Sequence, residues 1–140
     1  MAEVGADLYV EVLRYYAQQM SLLDAQDIEA YVGTFTEQGV THHVHRGQKL
    51  EGRAAMLAHA RQALPRYRDV VVRHWNDNYL MNEADDGSIT VAYGSLVTLT
   101  EAEGRVRFES TYAVTDVLVR VDGRLRAESR TIVRDQPAAG

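Results

Sequence analysis

The stretch VTHHVHRG, residues 40–47, places three of the five histidines within four positions. Imidazole titrates close to neutral pH, so such a group can take a proton, give one, or ligate a metal. Read as a strand, the stretch puts Thr41, His43 and His45 on one face and His42 and Val44 on the other. His43 and His45 then project the same way, which is a workable pair of metal ligands. No third ligand can be named, so no metal is expected. The competing reading is three partly exposed histidines on an edge strand.

The elements that must position these residues follow from periodicity. Tyr9, Val12, Leu13, Tyr16, Met20 and Leu23 recur at three- and four-residue steps and predict a first helix. DAQD (24–27) interrupts it, and an Asp there suits a helix N-cap. Ile28, Tyr31, Val32 and Phe35 mark a short second helix ending near Gly39. EGRAAMLAHARQAL (51–64) reads as a third helix, stopped by Pro65. The second half reads as strands: DVVVRHW (69–75), SITVAYGSLVTLT (88–100), RVRFESTYAVTDVLVRV (105–121) and RLRAESRTIVRD (124–135). Turn signals lie at DDG (85–87), EAEG (101–104) and DG (122–123). Helices first and antiparallel strands last indicate an α+β fold in one domain, residues 1–135, with 136–140 as a disordered tail.

Composition excludes several classes. The 140 residues suit one domain with a real core. A net charge of −5 argues against generic nucleic-acid binding, which needs a basic surface to replace counterions. The absence of cysteine excludes disulfides and thiolate zinc sites. The N-terminus lacks the basic start and apolar run of a signal peptide, and no stretch approaches the roughly 18 apolar residues of a membrane span. A cytoplasmic protein is expected.

The element order resembles the nuclear transport factor 2-like superfamily, and most closely its SnoaL-like branch of polyketide cyclases and scytalone dehydratase-like enzymes. The resemblance rests on LLDAQDIEAYVGTFTEQGV (22–40), GRAAM (52–56), VVRHWNDNYL (71–80) and YAVTDVLVRVDGRLRAESRTIVRD (112–135). It implies a conical α+β barrel: three N-terminal helices on a strongly bent, mostly antiparallel sheet enclosing a cavity. It also implies homodimers through the outer sheet face. Fold alone does not settle function, because function lives in the site.

In dehydratase-like members an Asp ending the first helix pairs with a His on the strand after the third helix. Asp24 and His74 fall on those positions, so the resemblance makes them a catalytic acid–base dyad. The bland alternatives are that Asp24 caps the second helix and that His74 is a satisfied core histidine. Strand alternation adds candidates for substrate contact. Asn76 shares the face of His74, unless it merely ends the strand. Tyr93 could hydrogen-bond a substrate carbonyl, or pack as an aromatic. The hydroxyl of Tyr16 could reach the cavity, although core packing is the commoner fate. Glu109 would be an acid–base candidate if inward, but parity is unsettled across a possible bulge. His43 is expected on the cavity wall, with His45 nearer the rim and His42 outside. His59 receives no role. Arg126, Glu128 and Arg130 would share one side of the last strand, suiting an outer face or dimer contact; family members often carry an Arg at position 130, which reads as structural pairing.

HVHRGQKLE (43–51) also approaches the cupin pattern of H-x-H followed by Glu. The gap is too long, and two leading helices argue against a double-stranded β-helix.

The expectation is a small cofactor-independent enzyme. It would catalyse dehydration, cyclisation or isomerisation of a hydrophobic, oxygenated ring substrate, as in polyketide-type metabolism. The alternative is a non-catalytic ligand-binding or association module of the same fold.

Overall fold

A computed structural model describes residues 2–137. The expected tail therefore lies outside the described residues at positions 138–140. After a two-residue strand β1 (Ala2–Glu3) comes the long helix α1 (Ala6–Asp24). It buries Val12, Tyr15, Tyr16 and Gln19, while Tyr9 and Leu13 stay half exposed. The buried face is thus rotated from the purely apolar stripe. Tyr15 and Gln19 can enter the core because their polar ends find partners there.

Helix α2 (Ile28–Val32) is shorter than expected. Its N-cap is Asp27, whose carboxylate accepts from the Ala30 N–H at 3.4 Å, so capping does not fall to Asp24. Strand β2 (Phe35–His43) begins where the helix was expected to continue. Gly39 does not stop a helix. A Cβ there would lie 3.0 Å from the Thr36 carbonyl oxygen and 3.1 Å from that of Ala127, so this glycine lets two strands approach. The strand ends at His43, and Val44–Arg46 form one 3-10 turn closed by Gly47 at φ 59°. His45 therefore sits in a turn and not on a strand. Strand β3 (Gln48–Glu51) follows, too short to signal itself in the sequence, and helix α3 (Arg53–Ala63) begins two residues later than expected.

Strands β4 (Val71–Glu83), β5 (Ile89–Thr100), β6 (Val106–Val121) and β7 (Arg124–Arg134) complete the molecule. β4 does not end at Asn76. It runs on through a bulge near Asn78, which adopts φ 61°. The β6–β7 turn has Asp122 and Gly123 both at positive φ, the conformation a tight hairpin with right-handed twist requires.

Among the described residues the sheet has seven strands in the order β1-β4-β5-β6-β7-β2-β3, antiparallel except for β2 against β7. β1 and β3 remain edges, so the sheet is a bent open cone and not a closed barrel. Bulges in β4–β5, β5–β6 and β6–β7 increase twist and bend it around the helices.

Two bulges decide which way key side chains point. In β6, Ser110 pairs with Val97 and Phe108 with Thr98, which leaves Glu109 as the extra residue. In β7, Ser129 pairs with Val117 and Ala127 with Leu118, which leaves Glu128 unpaired. That extra residue shifts parity, so Leu125, Ala127 and Arg130 all face inward. The expectation that Arg130 shares an outer face with Glu128 is corrected: Arg130 is buried and Glu128 exposed.

Candidate active site

The concave face of the sheet and the three helices enclose a cavity of about 270 Å³. His74 lies on its wall with Val72 and Asn76, as alternation along β4 requires, while Arg73 and Trp75 face outward. Asp24, the last residue of α1, stands behind His74. Its Oδ1 is 2.7 Å from the ring Nδ1, and its Oδ2 accepts from the His74 backbone N–H at 3.2 Å. A carboxylate only accepts, so the proton between them belongs to Nδ1. In the neutral ring, Nε2 is then the atom that carries the lone pair. Both side chains are sheltered, at 23% and 10% exposure for His74 and Asp24. The two-point grip orients the ring through the backbone as well as the imidazole.

A second polar system borders the cavity, and sequence reasoning missed most of it. Asp116 is wholly buried on β6. It accepts from Tyr16 at 2.8 Å, from Tyr93 at 3.1 Å, and from Arg130 through Nε at 3.0 Å and Nη2 at 2.8 Å. Arg130 also donates to the Tyr31 hydroxyl at 2.9 Å and to Gln19, and its guanidinium lies over the Phe35 ring. Gln19 passes the network to Tyr15 and Thr34. Burial opposes the charge on Arg130, but the Asp116 carboxylate together with the Tyr93 and Tyr31 hydroxyls outweighs it, and the pKa stands well above the ordinary value. Burial pushes the phenols of Tyr16, Tyr31 and Tyr93 up, so they remain protonated. The signal available in sequence was Arg130, expected to pair. Its partner Asp116, the one carboxylate in the YAVTDVLV stretch of β6, could have been suspected from its type alone.

These contacts redistribute the expected roles. Tyr16 packs in the core with its proton given to Asp116, and it does not line the cavity. Tyr93 lines the cavity, but its proton is likewise given to Asp116. Asn76 lines it beside His74, and its Oδ1 is buried without a partner among the described residues. Glu109 reaches the lining from its bulge and is exposed there, at the mouth.

The opposite wall carries histidines. His43, His45 and His59 all line the cavity, and His43 lies 6.1 Å and 6.2 Å, ring to ring, from the other two. The Gln48 amide is placed to donate to His59 Nδ1 at 3.3 Å. Among the described residues no group of three His, Asp or Glu side chains converges as metal ligands would. His42 faces away from this wall. Burial, then the Arg46 charge, lowers the His43 pKa to about 4.

This shift predicts acid sensitivity. The folded protein binds its proton at His43 only near pH 4, whereas the unfolded chain binds one near 6.5. Between these values the unfolded state holds more protons, so stability falls as pH drops. About 1–2 kcal/mol is expected to be lost across that window, allowing for partial solvent contact. The difference between His43→Asn and the parent in urea melts from pH 7 to about 4 measures it. Identical slopes would remove His43 as the cause.

The solved structures that resemble this one include Aln2 from a Streptomyces species, at 41% identity and TM-score 0.90, covering 95% of this chain and 94% of that one. ActVI-ORFA from Streptomyces coelicolor matches at 36% identity and TM-score 0.87, covering 93% and 98%. A Catenulispora acidiphila protein in complex with S-DNPA matches at 34% identity and TM-score 0.85, covering 94% and 96%. No curated protein sequence matches significantly. The SnoaL-like domain itself is matched over residues 6–131, nearly the whole length on which the helices and the cone are built, and the chain belongs to that family.

Proposed function

We propose that the protein is a small enzyme, a single domain over residues 1–135, that moves protons on a hydrophobic, oxygenated ring substrate. The observation that carries this reading is the 2.7 Å contact of Asp24 with His74 on the wall of a cavity. His74 Nε2 takes a proton from an activated ring carbon. The imidazolium so formed is stabilised by Asp24 and returns the proton to a leaving hydroxyl or a carbonyl oxygen. Dehydration, cyclisation and isomerisation all use these two steps. Proton transfer of this kind needs only the side chains named, so the reaction is read as cofactor-independent. Asn76 and His43, on opposite walls, orient the substrate.

The bound S-DNPA of the Catenulispora relative makes that compound a first ligand to test here. Carbon-acid chemistry is tested directly with β-tetralone, an enolisable ring ketone. Exchange of its acidic hydrogens in deuterium oxide, followed by proton NMR, should be catalysed by the protein and depend on His74. No catalysis of exchange by the folded protein, on β-tetralone or on S-DNPA, would leave the binding-module reading ahead.

A homodimer through the outer sheet face is supported by the apolar residues exposed there. Phe108 is 74% and Trp75 58% exposed, and the Trp75 indole is held by a hydrogen bond to Thr98 at 3.0 Å. Large exposed aromatics on one sheet face suit association. Light scattering should report a dimer for the parent and a monomer for Phe108→Glu. A monomeric parent at its highest soluble concentration rejects the dimer.

A further inference from the structure

The four tyrosines of the buried network differ in where their protons go. Tyr15 donates to the Thr34 carbonyl oxygen at 2.9 Å. Tyr16 and Tyr93 donate to Asp116. Tyr31 is different. Among the described residues its hydroxyl makes one hydrogen bond, and there it is the acceptor, from Arg130 Nη1 at 2.9 Å. Its own O–H has no acceptor among the described residues, and Tyr31 and Arg130 both line the cavity. The ring is held edge-on against Phe35 at 5.5 Å between centroids, so the hydroxyl is fixed in place.

We propose that Tyr31 is the hydrogen-bond donor that holds a carbonyl oxygen of the ligand in this cavity. This rests on the reading of the cavity as a site for a small oxygenated ring compound, and it adds what that compound must carry. A phenol that accepts from a guanidinium is polarised, and its O–H becomes a stronger donor. Arg130 is itself anchored by Asp116, so the donor is preorganised and needs no rearrangement when charge builds on the ligand oxygen. The position usually suggested by strand alternation, Tyr93, is unsuited because its proton is already committed to Asp116.

The test compares two probes of equal shape, methyl naphthyl ketone and isopropenylnaphthalene, in which a methylene replaces the carbonyl oxygen. Calorimetry should show the parent protein favouring the ketone by about tenfold, the value of one hydrogen bond. Tyr31→Phe should lose that preference while still binding the hydrocarbon. In the infrared, the bound carbonyl stretch should lie lower in the parent than in Tyr31→Phe. If that variant fails to fold, ring-fluorinated tyrosine at position 31 keeps the hydroxyl and strengthens it as a donor, so the stretch should fall further. A ketone preference that survives in folded Tyr31→Phe overturns the inference, as does a stretch indifferent to fluorination. Equal binding of both probes to the parent overturns it alone, whereas binding of neither overturns it together with the cavity reading.

Discussion

His74→Ala should slow exchange of the acidic hydrogens of β-tetralone by about 10²–10⁴-fold, the usual contribution of a positioned general base. The fold should survive. Asp24 loses the imidazole at 2.7 Å but keeps the backbone N–H of residue 74 at 3.2 Å, so its carboxylate is not stranded. A melting curve close to the parent's would separate lost chemistry from lost structure. Asp24→Asn makes a sharper comparison. An amide can donate as well as accept, so it no longer insists that the ring proton sit on Nδ1. Part of the population then presents an N–H to the substrate where a lone pair is needed. The expected outcome is a lower kcat with KM little changed, because ligand binding does not depend on the tautomer. Full exchange activity in folded His74→Ala would remove the pair from the mechanism.

The largest effect on stability is expected at Asp116. Asp116→Ala should cost about 3–5 kcal/mol, the penalty for leaving one partner of a buried ion pair without the other. At 4% exposure Arg130 cannot recover its hydration, and the hydroxyls of Tyr16 and Tyr93 lose their acceptor at the same moment. For a domain of this size that is a fall in Tm of roughly 10–15 °C, which is readable by circular dichroism. Replacing both members, Asp116→Leu with Arg130→Met, should be less damaging than Asp116→Ala alone, since no charge is then buried unpaired. If the double variant is as unstable as the sum of the single ones, the ion pair is not what the network is organised around.

The secondary structure was legible where local rules suffice. The α1 periodicity, the Asp122–Gly123 turn and the long β-branched runs each carry their own signal, and all are found in place. Elements whose stability comes from neighbours were not legible. β3 has four residues and exists because β2 pairs with it. Phe35–Gly39 fits a helical pattern, yet pairing with β7 draws it into a strand, a case of tertiary contact overriding local preference.

The types of residue available for chemistry, and the order of elements that carries them, were determined by the sequence itself. Periodicity of apolar residues is a local property of the chain, and it is enough to specify helices before strands and a shared face for His74 and Asn76; the resemblance carried by particular residues supplied the expectation that this face is the inner one. Contact between Asp24 and His74 joins positions 50 apart, and only the folded cone brings them to 2.7 Å. The bulges at Glu109 and Glu128 are decisions of the same kind. One extra residue reverses every later side chain on a strand, and no local signal marks where it falls. That reversal turns Arg130 inward onto Asp116. It also leaves the proton of Tyr31, and not that of Tyr93, free to face the cavity.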